Sequence, residues 1–316
     1  MQHIEQYNNT IIIDNDIEEI IIDKLFSPLD NLPPTISKIT IKKSINIYRR
    51  QNKIPYNCKL IIENIIINNF DIFNNIKEKD YLDITKLNLS FNKITSIPES
   101  IGSLINLQEL CMSYNQITSI PECISLLVNL QKLQLPCNQI TSIPEFVGLL
   151  VNLQQLNLCD NKISNIPECI GSLVNLRSLR MANNKITNIP ESIRSLVNLQ
   201  ILNLTNNQIT DIPEYIGSLI NLQLLFLPNN KITSISESID SLVNLQILNL
   251  DNNQITSIPM SISSLINLQQ LSLYNNKIIS IPESIGSLIN LRQLFLANNK
   301  IISIPEFIKN KQYLIL

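Results

Sequence analysis

Apolar residues recur along most of this chain in a fixed pattern, L-x-x-L-x-L-x-x-N-x-I, with a period of 23 residues and no insertion. Ten full repeats follow one another. Alternation of apolar residues at the fourth and sixth positions predicts a short strand with one buried face. The repeats begin at Ile84, Leu107, Leu130, Leu153, Leu176, Leu199, Leu222, Leu245, Leu268 and Leu291.

Two further features of the repeat predict local structure. The second half reads I-P-E-x-I-G-x-L, as in residues 97–104. It predicts a short helix that starts at Pro, which lacks an N–H, and has Glu at its positive dipole end. Position 9 is Asn in every repeat, from Asn92 to Asn299. Because an amide side chain both donates and accepts, these residues predict a buried ladder of hydrogen bonds to backbone groups.

A single repeat cannot bury its apolar face alone, so the core forms by stacking of repeats about 4.8 Å apart. Strand residues crowd one side of the stack, whereas the helical half is wider, so we expect the stack to curve. The predicted fold class is α/β: a solenoid shaped as a horseshoe, with a concave parallel sheet and short 3-10 or α segments on the convex side.

The unit I-P-E-x-I-G-x-L-x-N-L-Q-x-L-x-L-x-x-N-x-I, spanning residues 84–316, resembles the 23-residue class of intracellular leucine-rich-repeat proteins. This class includes the Shoc2-like Ras-binding scaffolds and the plant intracellular Ras-group proteins. The resemblance implies a scaffold for a protein partner, such as a small GTPase or another component of a signalling complex. Partner-binding residues of the family lie outside the repeat motif, so none is transferred to this chain.

Residues 1–83 depart from the repeat and are predicted to be an N-terminal cap of degenerate repeats, followed by the ten repeats and a truncated closing strand in residues 84–316. Fragments beginning at Ile17, Ile36 and Ile62 keep the strand pattern. A helix start near Asp14 is an alternative, and a third possibility is an F-box-like helical adaptor in Asp16 to Asp30. At the other end, Tyr313 to Leu316 resume the pattern and predict a closing strand.

Composition favours a cytoplasmic protein. The 24 basic and 26 acidic residues give a net charge of −2, which does not favour nucleic acid. The N-terminus lacks the pattern of a signal peptide, and no apolar run is long enough for membrane insertion. Five of the six cysteines lie within repeats, as expected of reduced thiols. Abundant Asn and Ile indicate an AT-rich genome, such as that of a giant virus, whose product would occupy the host cytoplasm, or a protist.

Candidate chemistry is sparse, and we expect no enzyme, cofactor or metal site. All five glycines occupy position 19, so none is available for a phosphate-binding loop. His3 is the only histidine and is expected at a solvated terminus, which excludes histidine-dependent catalysis. A row of Lys at position 10, from Lys93 to Lys300, is interleaved with Gln. The interleaving and a lack of stacked aromatic side chains argue against nucleic acid.

Positions 2, 3, 5, 7 and 8 are the variable positions of the predicted concave face, and function is expected there. Apolar side chains in three consecutive repeats, beside an arginine, have the composition of a protein-binding hot spot. Partial burial at the edge of the core is an alternative explanation for the position 3 residues. The candidate partner-binding residues are Arg177, Arg180, Ile201, Leu224, Phe226, Ile247, Asp251, Tyr274, Arg292 and Phe295.

The sequence therefore predicts a protein-protein interaction scaffold that binds a cytosolic partner on its concave face. The alternative is a substrate-recognition adaptor of a ubiquitin ligase, recruited through the N-terminal segment. A helical, exposed segment at 16–30 would favour the adaptor, and a strand that continues the sheet would favour the scaffold. Repeat 7 is also expected to be irregular, because Ser236 replaces Pro and Asp240 replaces Gly.

Overall fold

The computed structural model describes residues 85–306 in full, together with the backbone of five strands at 2–3, 19–22, 38–41, 59–62 and 314–315. The chain folds as two compact units, Met1–Ile140 and Thr141–Leu316. Each is described by itself.

The first unit contains two groups of parallel strands. The first group is β1 (Gln2–His3), β2 (Glu19–Ile22), β3 (Lys38–Ile41) and β4 (Lys59–Ile62), paired in chain order. The second is β5 (Lys86–Asn88), β6 (Glu109–Cys111) and β7 (Lys132–Gln134), with the 3-10 helices η1 (Glu99–Ser103) and η2 (Glu122–Leu126) between them. In the second group, residues 23 apart pair, as with Leu87, Leu110 and Leu133.

The second unit repeats the same alternation. Its strands are β8 (Gln155–Asn157), β9 (Ser178–Arg180), β10 (Ile201–Asn203), β11 (Leu224–Phe226), β12 (Ile247–Asn249), β13 (Gln270–Ser272), β14 (Gln293–Phe295) and β15 (Leu314–Ile315). Its 3-10 helices are η3 (Glu145–Leu149), η4 (Glu168–Ser172), η5 (Glu191–Ser195), η6 (Glu214–Ser218), η7 (Glu237–Ser241), η8 (Met260–Ser264) and η9 (Glu283–Ser287). All pairings are parallel. The predicted class, a solenoid of parallel strands and 3-10 segments, is confirmed.

The core of each repeat is aliphatic and dry. Leu at positions 1, 4, 6 and 21 and Ile at positions 11 and 18 are almost completely buried, as Leu202, Leu204 and Ile216 illustrate. The 3-10 helix starts one residue later than predicted, because Pro takes the extended conformation of an N-cap and Glu is the first helical residue. A Cβ added to Gly171 would lie 2.7 Å from the carbonyl oxygen of Ser192 in the next repeat, which explains the glycine in this repeat.

Position 9 amides bridge neighbouring repeats. Asn230 Nδ2 donates to the carbonyls of Leu227 at 3.0 Å, Pro228 at 3.2 Å and Leu204 of the preceding repeat at 3.0 Å. Its Oδ1 accepts from the N–H of Ile209, also of the preceding repeat, at 3.0 Å. Eight of the ten asparagines are buried. Asn184 and Asn299 are only half-buried, so the prediction that all ten are buried is wrong for these two. Both still make the same pattern of hydrogen bonds.

Position 23 carries another asparagine ladder. Asn198 Nδ2 donates to the carbonyl of Val174, and Asn221 Nδ2 to that of Val197, at 2.9 and 2.8 Å. These bonds tie the turn that follows the 3-10 helix to the corresponding turn of the preceding repeat. The strand side and the 3-10 side are thus tied separately.

The expected irregularity in repeat 7 is absent. Helix η7 has the same five residues as its neighbours, and Ser236 has φ −62° and ψ 144°, close to the proline it replaces. Its hydroxyl accepts from the N–H of Ser238 at 3.3 Å. A side-chain cap therefore compensates for the missing ring.

The terminal strands follow the prediction in part. The chain closes with β15, but Leu314 pairs with Leu294, three residues out of the 23-residue register. Strands β2 and β3 fit the patterns that begin at Ile17 and Ile36, whereas β4 ends where the third pattern begins, and residues 63–84 lie outside the described part of the chain. Glu19–Ile22 is a strand, as the scaffold hypothesis expects, but it belongs to the group β1–β4 and does not continue the sheet of the repeats; the rest of segment 16–30 is not described. His3 pairs with Ile21 in β1 rather than lying at a free end.

The bridging role of the position 9 amide predicts a large stability cost for Asn230→Ala. Four buried hydrogen bonds are lost and backbone groups of two repeats lose their partner, so we expect unfolding free energy to fall by about 1–3 kcal/mol. Urea unfolding followed by circular dichroism measures it. The control is Gln208→Ala, an exposed position 10 residue that we expect to change stability by less than about 0.5 kcal/mol. Equal effects of the two variants would show that the amide ladder contributes nothing.

Candidate functional site

The strand side of the second unit carries all ten predicted partner-binding residues at the surface. Arg177, Arg180, Tyr274 and Arg292 are exposed, and the other six are half-buried. None belongs to the buried core. The polar and charged members are therefore accessible to a partner, while the aliphatic members are partly covered by their neighbours.

Three aliphatic residues form a continuous row. Ile201 of β10 pairs with Leu224 of β11, and Leu224 pairs with Ile247 of β12. At a strand spacing of about 4.8 Å the row is roughly 10 Å long. Phe226 stands two residues along β11, on the same face. We call Ile201, Leu224 and Ile247 the aliphatic row, with Phe226 beside it.

The remaining candidates lie beside the row or farther along the strands. Arg180 pairs with Asn203, which pairs with Phe226, so the arginine is two strands from that ring. Phe295 pairs with Ser272 on the far side of β12, three strands from Phe226, and does not join the row. Arg177 and Arg292 precede strands β9 and β14 at position 2.

Asp251 and Tyr274 are held by local hydrogen bonds. Asp251 Oδ1 accepts from the hydroxyl of Ser272 at 2.6 Å and from the N–H of Tyr274 at 2.8 Å. The Tyr274 hydroxyl accepts from Asn298 Nδ2 at 2.7 Å. These bonds fix the orientation of the Asp251 and Tyr274 side chains, and Tyr274 remains 40% exposed.

Sequence reasoning missed a conformational feature of position 8. All ten residues there have a positive φ, between 54° and 60°. This left-handed region costs an L-residue roughly 1–2 kcal/mol, and Asn tolerates it best after Gly. Asn occupies position 8 in the last six repeats, so the Asn-Asn pairs at positions 8 and 9 were the available signal. The first four repeats carry Phe91, Tyr114, Cys137 and Asp160 instead.

Position 8 forms an exposed ladder of its own. Asn183 Nδ2 donates to Asp160 at 2.8 Å, and Asn206 Nδ2 donates to Asn183 at 2.7 Å. In the first unit the ladder is aromatic, because the rings of Phe91 and Tyr114 stack with centroids 4.5 Å apart and planes 10° apart. The expectation that stacked aromatic side chains are lacking is therefore wrong at this point.

Two further rows run along the repeats. At position 10, Lys231 and Lys277 donate to Gln208 and Gln254 of the preceding repeats, at 3.3 and 3.0 Å. The glutamines interleaved with the lysines are thus their hydrogen-bond partners at these two steps. Position 22 carries exposed Val or Ile in nine repeats. It belongs to the same turn as the position 23 ladder and does not vary in type between repeats.

A charged network crosses the strands of the first unit. Glu109 Oε1 lies 2.7 Å from Lys86 Nζ and 3.3 Å from Lys132 Nζ. Partial burial alone would raise the pKa of Glu109, but the hydrogen bonds and charges of the two lysines outweigh it, and the pKa is lowered from its usual value.

Two of the described thiols are poorly suited to chemistry. None of Cys111, Cys123, Cys137, Cys159 and Cys169 is in a disulfide. Burial, with a nearby glutamate, raises the pKa of both Cys123 and Cys169 to about 11, so both are protonated at neutral pH. Within residues 85–306, no three His, Cys, Asp or Glu side chains come together as a metal site. Within the described residues, no helix has the length and apolar character to cross a membrane.

Comparison with known families agrees with this geometry. The family described as a leucine-rich repeat region matches residues 156–236, the leucine rich repeat family matches 83–140 and 243–301, and the two-copy leucine-rich-repeat family matches 128–168 and 220–263. The matches cover 83–301 without a gap. Residues 83–301 are therefore leucine-rich repeats. No match was found among curated proteins.

Solved leucine-rich-repeat structures are similar in fold. A leucine-rich-repeat protein of Leptospira interrogans is 26% identical with a TM-score of 0.57, covering 93% of each chain. An internalin of Listeria monocytogenes is 26% identical with a TM-score of 0.67, covering 82% of this chain and 79% of its own. A TDR receptor is 25% identical with a TM-score of 0.67; the match spans 90% of this chain but 48% of the receptor. Leucine-rich-repeat families and folds are typically non-enzymatic interaction modules, which supports a protein-protein interaction role.

The Glu109 network predicts a pH-dependent contribution to stability. A carboxyl whose pKa is lowered by folding stabilises the protein above its unfolded pKa, about 4.3, and loses this effect as pH falls through the folded value. We expect Glu109→Gln to lower the melting temperature at pH 7 and to have a smaller effect below pH of about 4. Thermal melts of both proteins across this range measure it. A difference that stays constant with pH would contradict the ionic origin.

Proposed function

We propose that this chain is a scaffold that binds a cytosolic protein partner on the strand side of its second unit, centred on the aliphatic row. The observation that carries the proposal is the register of Ile201, Leu224 and Ile247, which places three partly exposed aliphatic side chains side by side with Phe226. A continuous apolar strip on a surface otherwise rich in amides favours a partner that covers it.

The surroundings of the row match the anatomy of a protein interface. Apolar and aromatic side chains occupy the centre, while Arg180 and Asp251 provide charge near the rim. Interfaces of this kind derive most of their affinity from a few central aromatic, aliphatic and arginine side chains. We therefore assign Ile201, Leu224, Phe226 and Ile247 to the centre. Arg177, Arg180, Asp251, Tyr274, Arg292 and Phe295 supply orientation and specificity.

The partner class follows from the resemblance to the Shoc2-like and plant Ras-group proteins. That resemblance implies a small GTPase or a signalling complex in the cytoplasm. The alternative, an adaptor of a ubiquitin ligase, needs a helix through Asp16 to Asp30, and strand β2 at Glu19–Ile22 does not support it. The scaffold is therefore the better supported of the two functions.

The test replaces residues of the site by residues that other repeats of this chain carry at the same positions. Gln occupies position 3 in repeats 4, 9 and 10, and Asn occupies position 5 in repeats 4, 6 and 8, so I201Q/L224Q/F226N is compatible with the fold. Full-length wild type and variant serve as baits in cells, with bound proteins quantified by mass spectrometry. The control is Met260→Gln, which removes an exposed apolar side chain on the 3-10 side.

We expect the amount of specific partner captured by the triple variant to fall at least tenfold, while its melting temperature stays within a few degrees of wild type. Met260→Gln should capture as much partner as wild type. A small GTPase or a signalling protein among the lost partners supports the proposed class. Undiminished capture by the triple variant would place the interface elsewhere. Loss with Met260→Gln alone would assign binding to the 3-10 side.

A further inference from the structure

The first unit has a surface that the proposed function does not use. Phe91 and Tyr114 occupy position 8 of the first two repeats, with φ of 60° and 55°. Their side chains are 63% and 54% exposed, so they add little to the core. The rings stack on each other at the surface.

The backbone holds these rings in place. The N–H of Phe91 donates to the carbonyl of Ser113 at 2.8 Å, and that of Tyr114 donates to Pro136 at 3.0 Å. The same bond links position 8 to the next repeat elsewhere, as from Asn206 to Pro228. Position 8 is therefore left-handed whatever residue stands there, and a bulky aromatic residue is a costly choice. Retained backbone strain of this kind is concentrated at binding sites.

The charged residues on the strand side of residues 85–140 are mostly basic. Lys86, Lys93 and Lys132 on the strands and following loops outnumber Glu109, which leaves a net charge of +2 on the strand side of residues 85–140. Glu99 and Glu122 are on the other side, at the starts of η1 and η2. Lys86 and Lys132 also share Glu109 as a partner. Their positions are thus fixed before a partner arrives.

Ring geometry indicates what chemistry suits this surface. A parallel stack presents ring edges, which carry the positive part of the aromatic quadrupole and favour carboxylates or the face of another ring. A separation of 4.5 Å leaves no space for a nucleobase between the rings. Three lysines, two of them already paired, are also fewer than the six to ten phosphate contacts typical of specific DNA binding.

We propose that Phe91, Tyr114, Lys86 and Lys132 form a second binding site, separate from the aliphatic row, for an acidic peptide segment that carries an aromatic side chain. The lysines take the carboxylates, and the partner's ring packs against the exposed edges of the stacked pair. Glu109 bridges the two lysines and fixes their register, and the net positive charge of this side discriminates against basic segments.

The test measures binding of fluorescent random copolymers to the full-length chain. The probes are poly(Glu,Tyr), poly-Glu, poly(Lys,Tyr) and a single-stranded oligonucleotide. We expect poly(Glu,Tyr) to bind at least tenfold more tightly than the other three. Equal affinity for poly-Glu would remove the aromatic part of the proposal, and preference for the oligonucleotide or poly(Lys,Tyr) would overturn it.

Variants with matched controls locate the site. F91N/Y114N installs the residue found at position 8 in six other repeats, so we expect it to melt at or above the wild-type temperature while losing at least tenfold in affinity for poly(Glu,Tyr). Tyr114→Phe keeps the stacked ring and should keep the affinity. I201Q/L224Q/F226N, which tests the proposed function, should also bind normally here.

A second pair of substitutions keeps the proposal falsifiable if F91N/Y114N folds poorly. K86Q/K132Q should weaken binding of poly(Glu,Tyr) and flatten its dependence on salt. Unchanged affinity in either double variant would contradict the site. Loss of this binding with an intact partner interaction, or the reverse, separates the second site from the proposed function.

Discussion

The position 9 amide is the interaction on which the rest of the structure depends. Asn230, for example, joins carbonyl groups of two repeats to an N–H of the earlier repeat, so the stacking distance and the register are set by the same side chain. No other natural side chain offers two donors and an acceptor in so short a reach. Leucine and isoleucine supply the driving force for burial, whereas asparagine specifies the geometry.

This division of roles leaves particular positions of the repeat free to vary. Because the ladders at positions 9 and 23 hold both sides of the repeat, positions 3, 5, 7 and 8 vary without disturbing the fold. Leu224 and Phe226 on β11, and Phe91 and Tyr114 in the first unit, are departures from the amides found at the same positions elsewhere. We propose that they serve a partner rather than the fold.

Much of the fold was predictable because every repeat has the same pattern of apolar, Asn and Pro-Glu positions. The strands, the 3-10 helices and the pairing of residues 23 apart follow from apolar spacing and from Pro-Glu. The register of β15 was not predicted. Leu314 pairs three residues away from the partner that the 23-residue period predicts, and residues 309–312, just before it, depart from the repeat sequence. The left-handed position 8 was missed because it depends on a backbone bond to the next repeat. The candidate residues were correctly placed at the surface, but the distance from Phe226 to Phe295 needed the strand order.

Hydrogen exchange at position 11 tests the central claim most directly. The N–H groups of Ile186, Ile209, Ile232 and Ile255 donate to asparagine side chains rather than to backbone carbonyls. If the amide ladder ties the repeats together, these N–H groups exchange as slowly as those of the buried strand residues Leu202 and Leu225. Exchange as fast as in exposed loops would show that the ladder opens independently of the core, and would contradict the role of the position 9 asparagines in setting the register of the repeats.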